Sequence, residues 1–353
     1  MGERYAPPPS LRGSAETGHE PLPSALRAAR EALRGRPGVA GSLSVALTEE
    51  IAARTEVPED GIVLGPSTPS LAFALLHSLR SSRAASCLEV RASARGAGAC
   101  ADLARRLPAR CVLVPPDPSG AQDLDALAEG CGDGLVVLFL SNPHDPTGAV
   151  VPGGTLLRFL EAVPEQAVVV VDESRWEFVR DDDFTPGTEL VGHDRRLVVL
   201  RSLSAAHGLG GLRLAYAACD PEMAELIQRQ ILPSDIDTMA QGVALASLRS
   251  PDEVRVRADA VVRERERLRE ELQLLGFRVA PSETDRIWLP LGEDSTRFTL
   301  AGRRAGVDLL LGLGEGVGYT VGPPRLGDRL LEAAARFADR PCGGRYPVGP
   351  PLM

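Results

Sequence analysis

From about residue 25 to residue 250 the chain alternates short, uninterrupted apolar runs with amphipathic stretches. The runs are Ile62–Leu64, Cys111–Val114, Leu135–Leu140, Ala167–Val171 and Leu197–Leu200. Being apolar at successive positions, they would bury both faces, which predicts largely parallel strands in the middle of a sheet. Helical spacing begins at Ala25 and returns over Pro69–Leu79, Ala99–Leu107 and Leu156–Ala162. This βα alternation predicts a three-layer α/β large domain with a mainly parallel sheet. Beyond residue 250 the pattern changes. A long charged amphipathic helix spans Asp252–Leu275 and stops at Gly276. Short strands at Ile287–Leu289 and Tyr319–Val321 and a helix at Leu326–Phe337 then make a smaller α+β C-terminal domain. The expected organisation is an arm over residues 1–23, which carries Pro7-Pro8-Pro9, a large domain over 24–250 and a small domain over 251–353. The run Arg263–Glu271 reads as a solvated helix face, and no internal repeat is evident.

Composition narrows the functional classes. The 353 residues are 44% hydrophobic, enough for a large core, and the formal net charge of −9 comes from intermixed acidic and basic residues. No basic patch stands ready for nucleic acid or an anionic membrane, so the expected partner is a small molecule. No run approaches the roughly 18 apolar residues that span a bilayer, and the polar N-terminus has no signal core, so a cytoplasmic protein is expected. The six cysteines (Cys87, Cys100, Cys111, Cys131, Cys219 and Cys342) lack CxxC or zinc spacing and read as neutral thiols. His19, His77 and His193 form no cluster, and no metal is expected. All 39 basic residues are arginine; there is no lysine. With the richness in Ala, Gly and Pro, this fits a high-GC coding bias.

Three segments follow predicted strands, where ligands gather in an open α/β sheet. They are Ser141-Asn142-Pro143-His144-Asp145-Pro146-Thr147-Gly148, Val171-Asp172-Glu173-Ser174-Arg175-Trp176-Glu177-Phe178, and Arg201-Ser202-Leu203-Ser204-Ala205-Ala206-His207-Gly208-Leu209-Gly210-Gly211-Leu212-Arg213. Their order and spacing resemble the NPxNPTG, DEAYxxF and SxSKxxGLxGLR signatures of class I/II aminotransferases. The flavour is that of the histidinol-phosphate aminotransferase and threonine-phosphate decarboxylase group. The likeness runs from about residue 24 to about 338 and includes Pro281-Ser282-Glu283-Thr284 before a strand. It implies the pyridoxal-phosphate (PLP) transferase fold of type I and a homodimer.

The same resemblance assigns roles. Asp172 matches the carboxylate that keeps a pyridine nitrogen protonated, and Asn142 lies in the first cofactor segment. Ser202, Ser204 and Arg213 match a phosphate cradle, and Ser67 and Thr68 precede a helix whose N-terminus suits an anion. Other positions depart from the family. Ala205 stands where the Schiff-base lysine belongs, Asp145 where an asparagine faces the cofactor's phenolic oxygen, Arg175 where a tyrosine does, and Gly318 where an arginine binds the substrate carboxylate. Residues 88–98 contain no aromatic to stack on a ring. Asp145 and Arg175 are expected to neutralise each other. His207 and His144 are the histidines near the old lysine position that could act as a base, each with an ordinary packing role as the alternative.

Without lysine, conventional transamination through a protein-borne Schiff base is excluded, and PLP or a PLP adduct, if held, is held non-covalently. The leading expectation is a repurposed biosynthetic enzyme for a small anionic or phosphorylated ligand, with His207, Asp145 and Arg175 as catalytic candidates. The alternatives are a non-catalytic pseudoenzyme subunit or ligand sensor, and a true aminotransferase carrying a lysine-to-alanine trapping change at position 205.

Overall fold

The computed structural model describes residues 19–338 apart from 35–39, 83–87, 97, 108, 118–119, 130, 132–133 and 313. Most of the expected arm, with Pro7-Pro8-Pro9, and Cys87 and Cys342 lie outside the described residues.

In chain order the first part contains α1 (Pro23–Arg34), α2 (Ala40–Thr55), β1 (Ile62–Gly65), α3 (Thr68–Ser82), β2 (Leu88–Ser93), α4 (Gly98–Arg106), β3 (Arg110–Val114), α5 (Leu124–Ala128) and β4 (Leu135–Ser141). It continues with α6 (Gly153–Ala162), β5 (Val168–Asp172), β6 (Leu197–Ser202), β7 (Ala215–Cys219), α7 (Pro221–Gln228) and α8 (Thr238–Leu248). Its seven strands form one sheet in the order β1-β7-β6-β5-β4-β2-β3. Every neighbouring pair from β6 to β3 is parallel, and β7 is antiparallel to both β1 and β6.

The continuous apolar runs do what their pattern predicts. Alternate residues enter two separate cores: Val169 and Val171 pack on the side of α1, α2, α6 and α8, while Val168 and Val170 face α3, α4 and α7. Two strands escape the apolar-run criterion. In β2, Glu89 and Arg91 interrupt the run, yet Arg91 is buried, pairs with Glu89 at 3.0 Å and donates to the carbonyls of Leu127 and Ala126. The alanine-rich β7 lacks the β-branched residues that mark a strand and is held between β1 and β6 by pairing.

The second part contains α9 (Pro251–Leu274), β8 (Arg286–Leu289), α10 (Ser295–Arg304), β9 (Leu310–Gly312), β10 (Gly316–Thr320) and α11 (Pro324–Ala338). Gly276 closes α9 with φ +86°, a conformation that favours glycine. The three strands form an antiparallel sheet, β8-β10-β9, over a core with an edge-to-face aromatic group, Phe277–Phe298 at 5.7 Å and Phe298–Phe337 at 5.2 Å. Phe178, Ala205 and Ala206 from the large-sheet loops belong to this same core, so the two sheets meet at the loops after β5 and β6. Among the described residues no helix is long and apolar enough to cross a membrane.

Candidate ligand site at the carboxyl ends of the strands

Parallel pairing brings the three sequence segments together. Ser141 lies opposite Asp172 in the β4–β5 register, the Asn142 N–H donates to the Asp172 carbonyl at 3.0 Å, and the Glu173 N–H donates to the Leu200 carbonyl at 2.8 Å. Asp172 therefore ends β5 in the crevice predicted for ligands. Its Oδ1 accepts from the Ser174 N–H at 2.9 Å and the Ser174 hydroxyl at 2.5 Å, whereas Oδ2 has one long contact, 3.5 Å from Thr68 Oγ1. Burial pushes the Asp172 carboxyl above its ordinary range and the Asp145 charge adds to this, against the Ser174 hydrogen bonds and Arg175. A cation set against Oδ2 would offset that burial.

The residues expected to form an anion cradle stand on β6, in the loop after it and at the start of α3. Ser202 Oγ donates to Ser204 Oγ at 2.9 Å and accepts from the Ser204 N–H at 3.2 Å. Ser67 accepts at 3.2 Å from the Ser70 N–H and so caps the start of α3, beside Thr68. Arg213 is exposed, has no hydrogen-bond partner among the described residues, and sits at φ +51°, ψ +75°, in the left-handed region. Holding a non-glycine residue there costs about 1 kcal/mol or more, a cost often found at binding sites.

Other expected site residues have different occupations. The Asn142 side chain is fully engaged with Val151, donating to its carbonyl at 3.0 Å and accepting from its N–H at 2.9 Å, so it braces the loop. His144 is likewise spent, with Nδ1 2.7 Å from Thr147 Oγ1 and Nε2 3.1 Å from the Arg95 carbonyl. The His207 ring is buried, with Nδ1 2.7 Å from Ser247 Oγ and Nε2 3.5 Å from a Glu177 oxygen. Those contacts favour a packing role over catalysis.

Asp145 and Arg175 act on each other electrostatically, as expected, but each also has an ion-pair partner at the start of β8. Arg286 Nη1 grips both Asp145 oxygens at 2.5 and 2.6 Å, and Arg175 Nη1 donates to Asp285 Oδ2 at 2.6 Å. Both pairs cross from the large sheet's loops to the start of β8. Arg175 still acts on Asp145 at longer range: burial would raise the Asp145 carboxyl, but Arg286 and Arg175 together hold it below its ordinary value. Asp285 and Arg286 were not singled out in the sequence. The available signal was a pair of opposite charges at the mouth of an apolar strand.

His19, isolated along the sequence, is brought by the fold within electrostatic reach of Asp285, Arg257 and Arg175. Burial holds its imidazole below the ordinary pKa, and Nε2 is buried with no hydrogen-bond partner among the described residues. Glu173 behaves differently from its neighbours. It is wholly buried, accepts from the Gly187 N–H at 2.5 Å and from Arg201 at 2.9 and 2.8 Å, while Arg201 stacks 4.1 Å over Trp176. This pair anchors the fold behind the site.

Among the described residues no group of three or more His, Cys, Asp or Glu side chains is arranged to hold a metal ion. The arrangement is that of a PLP-transferase fold of type I, with Asp172 and Ser202 at the ends of neighbouring large-sheet strands and a smaller C-terminal sheet beside them. The chain belongs to the class I and II aminotransferase family, whose model matches residues 14–301. It is 37% identical over 328 residues to an aromatic amino acid aminotransferase of Nocardia farcinica, covering 91% of this chain and 90% of the relative. It is 32% identical over 327 residues to one of Thermobifida fusca, covering 93% and 90%. Among solved structures, histidinol-phosphate aminotransferase from Sinorhizobium meliloti in complex with pyridoxal-5'-phosphate superposes with a TM-score of 0.82 at 22% identity, covering 92% of this chain and 89% of that one.

PLP is the cofactor this family implies, and the two ends of the site differ in how well they suit it. The half-free Asp172 Oδ2 suits a protonated ring nitrogen, and Ser202, Ser204 and Arg213, which has no hydrogen-bond partner among the described residues, suit a phosphate. The family's amine is missing: Ala205 is buried in an apolar cluster and no lysine exists elsewhere in the chain.

Proposed function

We propose that this chain is an aminotransferase-fold enzyme converted to work without a protein-borne Schiff base, on a small anionic or phosphorylated ligand. The observation that carries the reading is the retention of Asp172, Ser202, Ser204 and Arg213 around a position, Ala205, where no amine stands. A chain serving only as a scaffold would have no reason to keep Arg213 in a strained backbone conformation with no hydrogen-bond partner among the described residues. PLP or a PLP–amino-acid adduct is the ligand whose ends these residues suit, held without a covalent bond. When bound, PLP supplies an electron sink for carbanion chemistry. The chain's own groups divide the remaining work. Asp172 holds the ring-nitrogen proton, Ser202, Ser204 and Arg213 hold the phosphate, and the Asp145–Arg286 and Arg175–Asp285 pairs hold the small sheet against the site. The names of the relatives put aromatic amino acids first among amino compounds to test.

A second reading, a non-catalytic subunit or ligand sensor, is favoured by one observation: Arg175 and Arg286, the cations at the lobe boundary, are each tied to a carboxylate of this chain. A trapping change at position 205 would leave Asp145, Arg175 and Gly318 unexplained.

Titration of the purified protein with PLP, followed by absorbance and calorimetry and then dialysis, tests the reading. Saturable binding reversed by dialysis supports it. An absence of binding at millimolar PLP overturns the PLP assignment and turns the search to other phosphate esters.

A further inference from the structure

We propose that the hollow between α10 and α11, on the outer side of the small domain, binds a small amphipathic anion, a carboxylate carrying one aromatic ring. This site is separate from the one at the strand ends and stands independently of the functional reading above.

Helical spacing builds it. Arg297, Leu300, Ala301 and Arg304 recur at i, i+3, i+4 and i+7 on α10 and so share one face, and Ala333, Arg336 and Phe337 do the same on α11. Between these faces lies a cavity of about 260 Å³. Ala301, Ala305 and Ala333 line it, and their short side chains leave open the space that larger residues would fill. At about 30 Å³ per water the volume equals about nine waters, room for one ring and a short acid chain. Its apolar wall includes the buried Phe337, and Leu300 stays exposed at the edge.

The charges select an anion. Arg297, Arg304 and Arg336 are the charged residues that line the hollow, and no carboxylate lines it among the described residues. Like charges gathered at one hollow repel, and an anion set among them relieves the repulsion. Two carboxylates approach from one turn earlier, Asp294 at 3.2 Å from Arg297 and Glu332 at 3.6 Å from Arg336, both in exposed pairs of little strength. Arg304 has neither an ion-pair nor a hydrogen-bond partner among the described residues. The Arg297 guanidinium lies 4.2 Å over the Phe337 ring, which sets a cation directly beside the apolar wall. An apolar body with a few placed polar groups around it is the usual make-up of a small-molecule site.

The small-sheet core separates this hollow from the strand ends. Phe298 of α10 and Phe337 of α11 enter the core together with Ile287 and Leu289 of β8. Arg286 and Trp288 alternate with those two residues and face the large-sheet loops, where Arg286 grips Asp145 and Arg95 lies 5.9 Å over Trp288.

Two probes that share a ring and differ in charge test this, 3-phenylpropionate and 3-phenylpropanol. Calorimetry on the full chain should show the acid filling one site about tenfold more tightly than the alcohol. That preference should shrink as salt is added, since exposed charges are screened. Arg304→Glu, a surface change, should weaken the acid about tenfold or more and leave the alcohol as it was. Ala301→Trp fills the hollow and should abolish binding of the acid. Arg213→Ala, at the strand ends, should leave the acid's affinity unchanged. Equal affinity for acid and alcohol, or no binding of the acid at millimolar concentration, overturns the site. So does an acid that ignores Arg304→Glu but is lost in Arg213→Ala, which would place it at the strand ends instead.

Discussion

Arg286 Nη1 lies 2.5 Å from Asp145 Oδ1 and 2.6 Å from Oδ2, tying the loop after β4 to the first strand of the small sheet. Asp145 thus spends its charge on holding the two sheets together, where an asparagine would be free to donate to a ligand. About a third of the Asp145 side chain remains exposed, against 12% for Arg286, so the pair is weaker than a fully buried one. Arg286→Ala should cost about 1–3 kcal/mol, because Asp145 is left without its main partner. Urea unfolding measures it. In Asp145→Leu/Arg286→Leu much of that loss should return, and a double mutant as unstable as the single would show that packing, not charge, dominates.

Glu173 and Arg201 make the complementary case. Both are almost wholly buried, and removing one partner of such a pair typically costs about 3–5 kcal/mol. Glu173→Gln should therefore lower the unfolding midpoint strongly while leaving PLP affinity of the folded fraction unchanged. A selective loss of affinity with normal stability would place Glu173 in the ligand site instead.

Arg213→Gly should separate stability from binding. Glycine adopts φ +51° without strain, so the folded state should gain up to about 1 kcal/mol. Loss of the phosphate-directed guanidinium should meanwhile weaken binding of inorganic phosphate and PLP by about tenfold. Unchanged affinity would remove Arg213 from the cradle.

Gly208→Ala combines a left-handed backbone with a collision against the Glu20 carbonyl. It should destabilise the chain by about 1–3 kcal/mol. It should also raise proteolysis near Glu20, whose carbonyl the added methyl displaces; urea unfolding reads the first effect, and limited proteolysis with mass spectrometry the second.

The pH dependence follows from buried neutral histidines. Burial lowers the folded-state pKa of His19 and of His144 below 6.5, so between those lowered values and 6.5 the unfolded chain binds more protons. Stability should be at its full value above pH 6.5 and fall as pH drops from 6.5 through the folded values. Asp145, also lowered, adds a second loss below about pH 4, near its ordinary carboxylate value. His144→Asn should flatten the first decline; an unchanged pH profile would show that His144 is not buried neutral.

Much of this protein is legible in local pattern. Apolar runs such as Val168–Val171 specify strands buried on both faces whatever lies around them, and five of the seven large-sheet strands follow from that alone. β2 and β7 do not, since Arg91 is satisfied by distant carbonyls and the alanines of β7 by neighbouring strands. Asp172 and the two serines were equally readable, because each sits at the end of a recognisable strand. The absence of lysine is a property of the composition and excludes the family's usual chemistry without any structure. Which charges pair was a different kind of question. Asp145 is 141 residues from Arg286 and Arg175 is 110 from Asp285, so the pairing is set by how the small sheet docks on the large one. No local spacing encodes that docking. The same holds for the segment at Glu20, whose carbonyl lies against Gly208 in the loop after Ala205, since Leu22 and Ala25, just beyond it, are buried in the large-domain core.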